Sequence, residues 1–60
     1  MKSSAWYALF PNDPYAIGPF RFERPISERE FRAYLRWWEG CWIGRELRRL
    51  PAGVQVRPAR

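Results

Sequence analysis

Apolar and polar positions along the chain change period from one segment to the next, and each period predicts an element. Ala5–Phe10 is rich in β-formers and runs into the turn residues Pro11–Pro14, so a strand followed by a loop is expected. Alternation puts Trp6, Ala8 and Phe10 on one face and Ala5, Tyr7 and Leu9 on the other. Neither face is polar, and both are expected to be at least partly covered. Tyr15–Arg24 predicts the return strand, with Phe20 and Phe22 on one side and Arg21 and Glu23 on the other. Gly18-Pro19 implies a bend or an edge position, hence an irregular hairpin, and Pro25 is expected to stop the strand.

The period then becomes helical. Ser27 and Glu30 have the spacing of a capping box, and Ile26 can pack on Phe31 as a hydrophobic staple. At about 100° per residue, Phe31, Tyr34, Leu35 and Trp38 form one apolar face with Trp37 near its edge, and Arg29, Arg32 and Arg36 form a stripe bordered by Glu28 and Glu39. Gly40 offers a left-handed stop, which predicts a helix over Glu28–Glu39. Ile43, Leu47 and Leu50 keep helical spacing beyond it, but Gly40 and Gly44 would each cost about 1 kcal/mol relative to Ala. A break near Gly40 is expected, with a short helical or irregular segment after it. Leu50–Gly53 predicts a turn, and Val54–Arg57 a short strand closed by Pro58. The order strand, strand, helix, strand makes the expected fold class α+β. A small three-stranded antiparallel sheet carries one amphipathic helix packed on one face, in ββαβ order.

Sixty residues make a single domain, 1–60, with flexible ends expected at 1–4 and 58–60. So short a chain buries only about 60% of the surface it exposes when unfolded. Four Trp, three Tyr and four Phe supply the bulk of the core, and some of them must remain at the surface as a candidate binding face. Cys41 is the only cysteine and histidine is absent, so neither an intrachain disulfide nor a familiar zinc-ligand spacing is available. No metal or cofactor is expected. No apolar run approaches the length of a membrane span, and Met1–Ser4 lead into a strand-like segment, not a signal sequence; the expected localisation is cytoplasmic, without membrane contact.

The net charge of +5 favours an acidic partner, nucleic acid first among them. Most of the excess lies after Gly40, where Arg45, Arg48, Arg49, Arg57 and Arg60 are opposed by Glu46 alone. The helix itself is neutral, so its arginine stripe reads as a solvated face laced with glutamates. Ten of the eleven basic residues are Arg, which suits phosphate recognition but is also the bias of a GC-rich genome.

Catalysis is poorly served. General acid–base and nucleophilic chemistry want His, paired carboxylates or a nucleophile beside a base, and here Asp13 sits alone in a loop. Cys41, a small residue between apolar neighbours, suits packing better than chemistry. Phosphate-cradling glycine spacings are missing, and an enzyme is not expected. The candidate binding residues are Trp37 and Trp42 as aromatic anchors, with Arg45, Arg48, Arg49 and Arg57 for phosphates.

Four segments, Trp6–Asn12, Ile17–Arg21, Ser27–Tyr34 and Leu50–Val56, together resemble the small uncharacterised proteins carried by bacterial phages, plasmids and integrative elements. The resemblance implies an accessory role and supplies no active site. Proteins of that kind include DNA-binding factors and inhibitors of host defence, the anti-CRISPR type among them. Many such inhibitors imitate DNA with acidic surfaces, and this basic chain departs from that pattern. The expected function is therefore a non-enzymatic module docking on nucleic acid or a nucleoprotein complex. The alternative is a protein–protein inhibitor seated on an acidic protein surface, or a homodimer burying its surplus aromatics.

Overall fold

The computed structural model describes the backbone of residues 1–11, 13–43, 50 and 53–59, and their side chains apart from those of 39–43. The elements are β1 (Lys2–Leu9), β2 (Ile17–Ser27), α1 (Glu28–Ile43) and β3 (Gln55–Pro58). The strands form one antiparallel sheet in the order β2-β1-β3, so β1 is central and both its partners are edges. This is the expected α+β arrangement in ββαβ order.

Helix α1 covers one face of the sheet. Phe31 and Leu35 are fully buried and cluster with Trp6, Ala8, Ile26 and Val54, while Phe20, Phe22, Tyr34 and Val56 pack around them. Phe31 is the hub of the aromatic set: its ring stacks on Trp6 at 5.5 Å and meets Phe20 and Phe22 edge-on at 5.4 and 5.9 Å. Phe20 also meets Trp38 at 5.4 Å, so Trp38 takes the packing position that its place on the apolar arc predicts. The buried Trp6 indole N–H is satisfied by two carbonyls, Ser3 O at 2.9 Å and Ile26 O at 3.3 Å.

The helix starts as its sequence requires. The Glu30 amide donates to Ser27 Oγ at 3.1 Å and the Ser27 amide donates to Glu30 Oε1 at 2.8 Å, completing the capping box. That backbone hydrogen bond to Ser27 holds the Glu30 carboxyl below its ordinary pKa, with smaller help from the Ser27 hydroxyl and from the charges of Arg24 and Lys2. Arg32 pairs with Glu28 at 3.0 Å and donates to Val54 O at 3.2 Å, tying the helix to the approach of β3.

Several boundaries differ from those expected. β1 begins at Lys2, not Ala5, because Lys2 and Ser3 pair with Ser27 and Ile26. β2 begins at Ile17, and Pro25 does not stop it. Between Ser3↔Ile26 and Ala5↔Arg21, β1 advances two residues while β2 uses five. Pro25 falls in that bulged excess on an edge strand, where a missing N–H costs the ladder nothing. The helix likewise does not break near Gly40 but runs on to Ile43. Mid-helix glycine costs about 1 kcal/mol, a preference rather than a prohibition, and Cys41–Ile43 contain no proline to enforce a stop. The short segment expected after the helix, 44–49, and the middle of the expected turn, 51–52, lie outside the described residues.

Candidate functional site

Among the described residues one helix covers one face of the three-stranded sheet, and alternation along β1 decides which side chains the other face carries. Trp6 and Ala8 point into the core, so Ala5, Tyr7 and Leu9 point away from the helix. Across the ladder, Arg57 of β3 is opposite Tyr7, Gln55 is opposite Leu9, and on the other flank Arg21 of β2 is opposite Ala5. The sheet face away from α1 thus carries Tyr7 of the central strand, with Arg57 directly across from it and Arg21 opposite Ala5 two residues along. Among the described residues neither Arg21 nor Arg57 is in an ion pair.

The connection from β1 to β2 turns this face into a cleft. The Asp13 amide donates to Phe10 O at 3.0 Å, closing a turn. The chain after it brings Pro14 and Ala16 against the sheet. The resulting cavity of about 450 Å³ is lined by Tyr7, Leu9, Pro14, Ala16, Gln55 and Arg57. Tyr7 and Leu9 of the central strand give it apolar and aromatic surface, Gln55 and Arg57 of β3 give it an amide and a guanidinium, and among the described residues no carboxylate lines it. Tyr15, between two lining residues, is 77% exposed.

Gly18 fixes one side of the Tyr7 ring. The β1–β2 register slips again between Trp6↔Phe20 and Ala8↔Ile17, and Gly18 lies in that slip with φ +130°. A Cβ there would stand 3.3 Å from Tyr7 Cδ1 and 2.9 Å from Trp6 O, so the tyrosine and the bulge fit only because the residue is glycine.

The sequence-predicted site residues divide into three groups. Trp37 is 52% exposed on the helix, its ring 5.8 Å from Tyr34, as its place at the edge of the apolar arc predicts. Arg57 is exposed on the sheet face away from the helix, so the structure does not bring Trp37 and Arg57 onto one surface. The side chain of Trp42 and all of Arg45, Arg48 and Arg49 lie outside the described residues. Of the helical arginine stripe, Arg32 is committed to Glu28 and Val54 and Arg36 is also engaged, in keeping with a structural face.

Sequence reasoning misses Tyr7, Leu9, Gln55 and Arg21. The signal for them lies in the two apolar faces of β1, since one helix can cover only one of them. Among the described residues no three His, Cys, Asp or Glu side chains come together as a metal site requires, and no helix is long and apolar enough to cross a membrane. No family model, curated protein or solved structure matches the chain.

Proposed function

We propose that this chain is a non-enzymatic binding module that docks on nucleic acid or a nucleoprotein complex through a basic, aromatic surface. The observation that carries the reading is the sheet face away from α1, where Arg57 and Arg21 flank the strand that presents Tyr7. An aromatic residue with an arginine across the ladder offers stacking and phosphate contact together, the pairing that single-strand binding surfaces use. The net charge of +5 adds long-range attraction. An accessory role in a phage or other mobile element fits so small a module.

The test is a titration of labelled single- and double-stranded DNA and RNA at two salt concentrations. Binding is expected at low salt and weakens steeply as salt rises, because each neutralised phosphate releases counterions. Absence of binding to every nucleic acid at low salt rejects the proposal.

A second reading rests on Trp37, half exposed beside Tyr34 on the helix. A tryptophan in that position suits a protein interface, either with a host-defence component or with a second copy of the chain. Light scattering across a dilution series detects the second copy. A pull-down that survives nuclease treatment detects a protein target.

A further inference from the structure

We infer that the cleft beside Tyr7 and Arg57 is a base-binding subsite for single-stranded nucleic acid. An unstacked base lies against the tyrosine ring and the adjoining backbone phosphate meets the Arg57 guanidinium. The inference rests on the nucleic-acid reading above and adds to it the strandedness of the ligand and the place where it is held.

Three observations support it. The cavity, about 450 Å³, falls within the range of small-ligand pockets, roughly 300–1,000 Å³, and is thus large enough for a planar group. Its chemistry matches a nucleotide in parts. Tyr7 and Leu9 offer an apolar and aromatic floor, the Gln55 amide can both donate to and accept from a base edge, and Arg57 forks toward an anion. The charge is complementary, since among the described residues Arg57 lines the cleft without a lining carboxylate; Asp13, next to the lining residue Pro14, and Glu23, two residues beyond Arg21 on β2, are the described acidic residues of the adjoining segments.

The shape selects single strands. Tyr7 is half-buried in a cleft that Pro14 and Ala16 also line, a position better suited to a base that has left its stack than to one held inside a duplex. A duplex presents base edges in its grooves and is read by protruding helices or ribbons, whereas a concave aromatic site suits splayed bases. Tyr15, exposed between the lining residues Pro14 and Ala16, is a candidate second ring for a neighbouring base.

The experiment compares a labelled 12-nucleotide single strand with the duplex of the same sequence, each in DNA and RNA form, against wild type and three variants. Tyr7→Leu keeps an apolar side chain without the ring, Arg57→Gln removes the edge guanidinium, and Arg29→Gln removes one charge from the helix face as the control. Wild type is expected to prefer the single strand by about tenfold or more. Tyr7→Leu should weaken single-strand binding roughly five- to hundredfold, the range for loss of one stacked base. Arg57→Gln should weaken it and flatten the slope of log affinity against log salt by about 0.7, one single-strand phosphate. Arg29→Gln should leave that slope unchanged. Should Tyr7→Leu fail to fold, Arg57→Gln, at an exposed position of an edge strand, carries the test alone. Equal affinity for duplex, or folded Tyr7→Leu and Arg57→Gln proteins that bind like wild type, overturns the cleft assignment while nucleic-acid binding itself stands. Failure of wild type to bind any of the four ligands overturns both.

Discussion

Replacing Gly18 by alanine should unsettle the sheet and the cleft together, and the cost can be worked from local geometry. The backbone there has φ +130°, a region that L-residues rarely adopt, and strain of this kind costs about 1–3 kcal/mol. The added Cβ would also stand 2.9 Å from Trp6 O and 3.0 Å from Phe20 N. Both are backbone atoms of a registered β1–β2 pair, so relief requires the strands to shift, and overpacking of this sort adds about 1–3 kcal/mol. The expected total, about 2–6 kcal/mol, compares with roughly 3–9 kcal/mol for the whole stability of a chain this size. Gly53→Ala is the matched control. Its φ is +92°, but among the described residues the nearest atom to a new Cβ is Pro11 Cγ at 3.6 Å, an ordinary contact, so backbone strain of about 1–3 kcal/mol is the expected cost. Urea titrations followed by far-UV circular dichroism measure both. At a slope of about 1 kcal/mol per molar urea, the Gly18→Ala midpoint should fall by about 2 M or more, and further than that of Gly53→Ala. A Gly18→Ala protein no less stable than Gly53→Ala would refute the close approach of Gly18 to Trp6 and Phe20.

Two other outcomes are expected. Because α1 runs through Gly40 without a left-handed stop, Gly40→Ala should raise stability by about 0.5–1 kcal/mol; a loss of similar size in the same urea titration would place a helix end there instead. Because the Ser27 amide holds the Glu30 pKa below its ordinary value near 4.5, this carboxylate stabilises the fold above that value, and the contribution is lost as pH falls through the lower folded pKa. Thermal melts of wild type and Glu30→Ala should therefore differ most at neutral pH and converge in strong acid, and a gap that persists unchanged to low pH would contradict the capping role.

Features that depend on neighbours a few residues apart are legible in the sequence alone. The start of the helix is one, because Ser27 and Glu30 satisfy each other's amides within one turn. The inward aromatic side of β2 is legible at Phe20 and Phe22, and the helix face at Phe31, Tyr34, Leu35 and Trp38, because burial follows the period of each element. Trp37 at the margin of that face is legible for the same reason.

The rest depends on how the elements pair and pack. Pro25 stays within β2 because the bulge opposite Ser3–Ala5 gives it a position with no ladder bond to lose, and only the strand pairing reveals that position. Gly40 stays helical because its local preference for a stop is worth about 1 kcal/mol, too little to fix an end by itself. Alternation shows that β1 has two apolar faces, but not which one the helix covers. Tyr7 and Arg57 come from opposite ends of the chain, and no local pattern joins them. They meet because β3 pairs with the central strand in a register that sets one across from the other, and it is this pairing that makes Tyr7 and Arg57 line one cleft.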